Sequence, residues 1–129
     1  MRFVFTLNLK DEPGIVEAYC RHHQEVWPEV QASLRQYGVE QMDIYLLGRT
    51  LVMVVEMRGG IDYRTAFAAH AASSPRVAEW ERLMKSLQAP SVDARAGEWW
   101  ALMEPVFHLN RDTAEEPAIA HVAERSRTS

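Results

Sequence analysis

Residues 39–57 predict a β-hairpin, and its apolar pattern leaves few folds open to the chain. The two runs VEQMDIYLL and TLVMVVEM are separated by the tight turn Gly48-Arg49. The second run is apolar on both faces, with Val52 and Val54 opposite the other set, Leu51, Met53, Val55 and Met57. A strand that is apolar on both faces needs a cover on each. We therefore expect helices on one face of this sheet and a second copy of the chain on the other.

The rest of the chain alternates between strand and helix patterns. Residues 2–9 alternate in polarity and predict a strand. A first helix is expected from Asp11, as N-cap, to about Trp27, and a second from Pro28 to Tyr37 with Gly38 as the C-cap glycine. Two more helices are expected over 62–72 and 75–88. A last strand is expected over 99–109, where Pro105 interrupts it. The order β-α-β-β-α-β indicates a ferredoxin-like α+β fold. We expect an antiparallel sheet with helices on one face, which pairs into a dimeric α/β barrel.

Size and charge restrict the class of protein. The 129 residues suggest one domain, residues 1–110, followed by a polar C-terminal tail, residues 111–129, with a short helix near 119–125. A net charge of −4 does not provide the basic face that nucleic acid or a membrane surface would need. Cys20 is the single cysteine, which excludes an internal disulfide and a cysteine metal cluster. With no long apolar run and no signal-peptide pattern, we expect a cytoplasmic protein.

Two adjacent histidines in the first helix are the first candidates for chemistry. On a helical wheel, the residues Ile15, Val16, Tyr19, Cys20, Val26 and Trp27 form one apolar stripe. His23 lies at about 80° within this stripe, whereas His22 lies on its flank at about 340°. An inward histidine is more often structural than catalytic, but the inward Tyr19 one turn earlier makes a ligand pocket an equal alternative. On the residues alone, both interpretations stay open.

Other chemistry-bearing residues are scattered. Trp80 and the pair Trp99-Trp100 could stack on a sugar ring, although a single tryptophan somewhat more often fills the core. The remaining histidines are isolated and show no metal-ligand spacing with His23. The sequence also contains no glycine-rich phosphate loop and no nucleophile elbow. We therefore expect neither a metal site nor a nucleotide site.

Several of these residues occur together in a known pattern, which extends over about residues 2–110. The pattern comprises Tyr19-x-x-x-His23, Trp27-Pro28-Glu29, Ile44-Tyr45-Leu46, Trp80 and the closing Glu104-x-Val106-Phe107-x-Leu109. It resembles the L-rhamnose mutarotase family. The resemblance implies a small ferredoxin-like dimer that interconverts the α and β anomers of a 6-deoxy sugar without a cofactor. It also implies that His23 is the catalytic histidine and that Tyr19 contacts the substrate.

The chain departs from the rhamnose enzymes of this family at two positions. Met42 replaces a sugar-contacting tyrosine of the second strand, and Glu79-Trp80 replaces a tryptophan pair of the late helix. The stretches Met42-Asp43-Ile44-Tyr45 and Gly97-Glu98-Trp99-Trp100 are similar to those of L-fucose mutarotases instead. The resemblance therefore implies a sugar site that includes Tyr19, Met42, Glu79, Trp80 and Trp99, with L-fucose favoured slightly over L-rhamnose.

The expected function is a carbohydrate isomerase, a homodimeric mutarotase of the aldose 1-epimerase type that acts on L-fucose or L-rhamnose. His23 is expected to act as general acid/base, since an imidazole exchanges protons near neutral pH. Glu79 and Asp43 are candidates for the second proton-transfer group. Two alternatives share the fold: a monooxygenase that needs no cofactor, or a haem-binding relative, and a sugar-binding module without catalytic activity.

Overall fold

The computed structural model describes residues 1–110, which form an antiparallel sheet with four helices. In chain order the elements are β1 (Arg2–Leu9), α1 (Ile15–His23), α2 (Pro28–Gln36), β2 (Val39–Leu47), β3 (Thr50–Met57), α3 (Tyr63–Ala71), α4 (Pro75–Leu87), β4 (Gln88–Ala89) and β5 (Ala101–Met103). The strands follow the order β2-β3-β1-β4, and β5 also pairs with β1. The expected α+β architecture with an antiparallel sheet is confirmed. The expected C-terminal tail lies outside the described residues.

The predicted last strand is wrong in its extent. Instead of one strand over 99–109, two short strands pair with the same edge of β1, with Gln88 opposite Leu9 and Leu102 opposite Phe5. Residues 90–100 loop out between them. Pro105, which has no N–H group to donate, follows two residues after β5 ends. The edge strand is therefore interrupted by a loop that starts beside Gln88.

The first helix is shorter than predicted at both ends. Gly14 has a φ of +82°, a conformation that only glycine adopts freely, and the helix begins after it rather than at Asp11. The helix ends at His23. Trp27 has an extended backbone because it precedes Pro28, and the residue before a proline is disfavoured in the helical region. His23 consequently occupies the last position of α1.

The two faces of the sheet differ sharply in burial. Alternate residues of β1 and β3 face the helices and are at most 5% exposed: Phe5, Leu7, Leu9, Leu51, Met53, Val55 and Met57. On the opposite face, Val52 and Val54 are half-buried, and their neighbours Tyr45 and Leu47 on β2 are 62% and 85% exposed. The described residues thus leave one sheet face, which includes these apolar side chains, uncovered by helix.

A buried polar cluster connects three of the helices. The Nδ1 atom of His70 on α3 lies 2.8 Å from the Ser33 hydroxyl on α2. Ser33 also lies 3.0 Å from the hydroxyl of Ser73, and the Nε2 atom of His70 lies 3.5 Å from a Glu81 carboxylate oxygen on α4. His70 and Ser33 are 4% and 6% exposed, so their hydrogen bonds replace contacts with water. The cluster fixes how α2, α3 and α4 pack together.

We expect Ser33→Ala to lower the free energy of unfolding by about 1–3 kcal/mol, because the Nδ1 atom of His70 would lose its partner in the interior. Urea denaturation measures this loss. Ser86→Ala is the matched control, since Ser86 is an exposed helical serine and the change brings the same gain in helix propensity. Equal effects of the two substitutions would contradict a stabilising role for the cluster.

Candidate active site

A cavity of about 220 Å³ lies between α1 and the hairpin end of β2 and β3. Its wall combines a polar side from the helix with an apolar side from the strands: Tyr19, Cys20, His23, Gln24, Ile44, Leu46 and Leu51. The volume is smaller than the ~300–1,000 Å³ that is typical of sites for drug-sized ligands. A small polar molecule with one apolar face fits this lining.

A hydrogen bond fixes the tautomer of the neutral His23 ring. The Nδ1 atom lies 2.8 Å from the backbone carbonyl oxygen of Tyr19. A carbonyl oxygen only accepts, so Nδ1 carries the hydrogen and donates it. In the neutral ring, Nε2 therefore keeps its lone pair. The ring also stacks on that of Tyr19, with centroids 4.2 Å apart.

The surroundings of His23 keep its ring neutral. Burial lowers the pKa of His23 below its ordinary value of 6.5, and the neighbouring His22 lowers it further, while the hydrogen bond to Tyr19 opposes both. At neutral pH the ring is thus a base with a free lone pair on Nε2. This is the state that a general base requires before it takes a proton.

Tyr19 complements this base with a retained proton. It is 4% exposed, and burial raises the pKa of its phenol to about 12, while a hydrogen bond with the Gln88 side chain opposes the rise. At neutral pH the phenol is therefore protonated and available as a donor. The neutral imidazole of His23 and the protonated phenol of Tyr19 therefore lie one turn apart on the same face of α1.

Trp80 of α4 closes the inner side of this pair. Its ring lies edge-on to His23, with centroids 5.5 Å apart, and 5.1 Å from the ring of Trp27. The guanidinium carbon of Arg76 lies 3.5 Å from the Trp27 ring centroid, which holds that indole in a cation–π contact. Trp80 is 5% exposed and belongs to the core.

The structure brings together only part of the residue set that the sequence predicted. Tyr19 and His23 line the cavity, and Trp80 contacts His23. Met42 packs against the part of the core that contains Phe5, Met53 and Val55. Glu79 is exposed, and its carboxylate lies 3.5 Å from Arg76. The Trp99 indole donates to the Gln88 side chain. For all of these residues, contact with a sugar stays a prediction.

Sequence reasoning missed five of the residues that line the cavity: Cys20, Gln24, Ile44, Leu46 and Leu51. Cys20 and Gln24 directly follow Tyr19 and His23. Their place beside the cavity could therefore have been predicted from the helical wheel. No pattern in the sequence pointed to Gln88. Gln88, whose side chain opposes the rise in the pKa of Tyr19, reaches this part of the fold only through the pairing of β4 with β1.

Two kinds of feature are absent from residues 1–110. No group of three histidine, cysteine, aspartate or glutamate side chains there is arranged to hold a metal ion. In the same part of the chain, no helix has the length and apolar character needed to cross a membrane.

The fold and the site together define a ferredoxin-like α+β protein with a neutral histidine and a phenol in a small cavity. Comparison with known proteins names the family. The profile of the L-rhamnose mutarotase family matches residues 2–109, and the chain belongs to this family of carbohydrate isomerases.

Individual relatives agree with this assignment. The L-fucose mutarotase of Xanthomonas campestris pv. campestris is 38% identical over 112 residues, which cover 84% of this chain and 88% of that protein. The L-rhamnose mutarotase of Burkholderia orbicola is 32% identical over 97 residues, covering 75% and 88% of the two chains. A crystal structure of L-rhamnose mutarotase from Formosa agariphila superposes with a TM-score of 0.60 at 21% identity, covering 85% and 99%. The last likeness concerns the fold.

Proposed function

We propose that this protein is a mutarotase that interconverts the anomers of a 6-deoxy-L-hexose, with His23 as general base. The observation that supports this most directly is the hydrogen bond from Nδ1 of His23 to the Tyr19 carbonyl, which leaves the lone pair on Nε2. Membership of the mutarotase family supplies the reaction class. The small cavity beside Tyr19 and His23 is suited to a monosaccharide.

The chemistry needs one proton taken and one proton given. His23 takes the proton from the hydroxyl on C1, the C1–O double bond forms, and the bond from C1 to the ring oxygen breaks. Tyr19 donates its proton to the ring oxygen as that bond breaks. After rotation of the open aldehyde, both transfers run backwards and the ring closes on its other face. The reaction involves no net oxidation, so it requires no redox cofactor.

Tyr19 is a better candidate for the second group than either carboxylate. Glu79 is exposed and paired with Arg76. Asp43 is exposed and lies opposite Val54 in the sheet, on the face away from the helices. The Tyr19 ring, in contrast, stacks directly on that of His23. We infer that the proton for the ring oxygen comes from the phenol.

We propose L-fucose as the preferred sugar over L-rhamnose. The relative named L-fucose mutarotase is 38% identical, and the relative named L-rhamnose mutarotase is 32% identical. Saturation-transfer NMR of the anomeric protons, over a panel of both sugars with D-glucose as control, tests the proposal. We expect faster exchange for L-fucose than for L-rhamnose. If the protein bound the sugar but anomer exchange stayed at the uncatalysed rate in water, the protein would instead be a non-catalytic binding module.

The pH dependence of the exchange should show the state of His23. Because the neutral ring is the reactive form, kcat/KM is expected to fall as the pH drops through a midpoint below 6.5, and to be constant near neutral pH. NMR titration of the His23 ring protons should give the same midpoint. His22→Gln removes a charge that lowers the pKa of His23 and should move the midpoint upward. A midpoint above 6.5 would contradict the assignment.

We propose that the uncovered sheet face pairs two copies into a homodimer, and that the enzyme acts in the cytoplasm. Besides the exposed Asp43, the face carries Val52, Val54, Tyr45 and Leu47, whose apolar surface water would otherwise contact. Sedimentation should give a dimer for the wild-type chain and a monomer for Val54→Glu, because the variant buries an unpaired charge. Glu40→Gln, at an exposed position of β2, is a control with altered charge. A monomeric wild type would contradict the pairing.

A further inference from the structure

Arg76 and Trp80 lie on one face of α4, and both contact the indole of Trp27. They are four residues apart, a spacing that places two side chains on the same face of a helix. The guanidinium carbon of Arg76 lies 3.5 Å from the centroid of the Trp27 ring. The Trp80 ring meets the same indole edge-on, with centroids 5.1 Å apart. A cation and an aromatic ring of one helix therefore fix the position of Trp27.

Trp27 lies in the short connection that follows His23. The helix α1 ends at His23, and residues 24–27 lead to Pro28, where α2 begins. The last turn of a helix lacks part of its hydrogen-bond ladder, so it opens more easily than the middle of the helix. An indole fixed four residues after His23 limits this motion. The Trp80 ring also contacts the imidazole itself, with centroids 5.5 Å apart.

Two carboxylates hold the guanidinium group of Arg76. An oxygen of Glu29, in the first turn of α2, lies 3.5 Å from its Nε atom, and an oxygen of Glu79 lies 3.5 Å from its Nη1 atom. All three side chains are about half exposed, and ion pairs of this kind add little stability by themselves. Because the guanidinium is planar and paired on two of its nitrogens, its orientation over the indole is restricted. The ion pairs thus define where the cation lies.

We propose that Arg76 is a positioning residue for the mutarotase reaction: it fixes the Trp27 indole, and through Trp27 and Trp80 it holds the His23 imidazole where the ring takes its proton. The inference rests on the function proposed above. Arg76 does not line the cavity, so it acts through the two indoles and not on the sugar. The arrangement also gives Glu79 a part in catalysis that needs no contact with the sugar.

Arg76→Met is the first test, because methionine keeps an unbranched side chain beside the indole but removes the charge. We expect kcat for anomer exchange to fall roughly 3- to 10-fold, with a smaller change in KM, since the base is displaced and the contacts with the sugar remain. Arg76→Lys retains a cation that can contact the ring and should recover part of the rate. Arg82→Met, at an exposed position of the same helix, is the matched control and should keep the wild-type rate.

An NMR measurement separates positioning of His23 from a purely structural role. The Trp80 ring current shifts the resonances of the His23 ring protons, so a displaced imidazole changes these resonances. At neutral pH we expect them to shift in Arg76→Met and to stay unchanged in Arg82→Met. In a Trp27→Leu background, Arg76→Met should change neither kcat nor these resonances further, as in a double-mutant cycle of coupled groups.

A second set of substitutions keeps the inference testable if Trp27→Leu does not fold. Glu29→Gln combined with Glu79→Gln keeps the size of both side chains but removes the charges that hold Arg76. The combination should lower kcat in the wild-type chain and have no further effect in Arg76→Met. An equal loss in both chains would contradict an action of the carboxylates through Arg76.

Two results would overturn the role of Arg76 itself. One is a wild-type kcat or wild-type His23 resonances in Arg76→Met, and the other is an equal loss of kcat with and without the Trp27 indole. If the wild-type protein did not accelerate exchange at all, the proposed function would fail instead. The His23 resonances would then still decide whether Arg76 positions the imidazole.

Discussion

His23→Gln should fold normally, and its anomer-exchange rate should be lower by a factor of about 10²–10⁴, the usual contribution of one general acid/base group. Glutamine retains polarity and similar reach but cannot take a proton at neutral pH. The structural cost should be small, because His23 is half-buried and occupies the last position of α1. Saturation-transfer NMR on L-fucose gives the rate, and thermal unfolding verifies the fold.

His22→Gln is the matched control for this prediction. It makes the same chemical change one residue away on the same helix, and His22 does not line the cavity. Its rate at neutral pH should stay near that of the wild type. If His23→Gln kept the wild-type rate, or if both variants lost it equally, the assignment of the base to His23 would be wrong.

Trp80→Ala should have the largest effect on stability, about 3–5 kcal/mol, as expected for a buried tryptophan that is cut back to a methyl group. Trp80 is 5% exposed and contacts the rings of both Trp27 and His23. The cavity left behind would remove the inner wall of the His23 ring, so kcat should fall along with stability. Chemical denaturation and the exchange assay measure the two effects.

Trp80→Phe separates the structural part of Trp80 from contact with the sugar. A phenyl ring keeps much of the packing against Trp27 and His23, so most of the stability should return. If Trp80 only supports His23, KM should stay unchanged in this variant. An increase in KM would show that the indole contacts the sugar, as the family resemblance implies. Wild-type stability in Trp80→Ala would contradict its place in the core.

The helical wheel placed His23 on the same face as Tyr19, and both residues line the cavity, for a reason that the helix ends did not affect. Tyr19 and His23 are four residues apart, and this spacing places two side chains on one face of any α-helix. The errors lay at the boundaries, where Gly14 and the bond before Pro28 shorten the helix. Local sequence defines faces and periods well, but helix ends depend on single backbone conformations.

The sequence by itself determined the order of strands and helices, the hairpin, and the inward pair Tyr19 and His23, because each rests on periods of two or 3.6 residues within one segment. Only the tertiary structure decided that Gln88 meets Trp99, and that His70 meets Ser33 and Glu81. These contacts join residues that lie in different segments, 11 or more positions apart along the chain. They depend on how strands pair and helices cross, and no local period encodes that geometry.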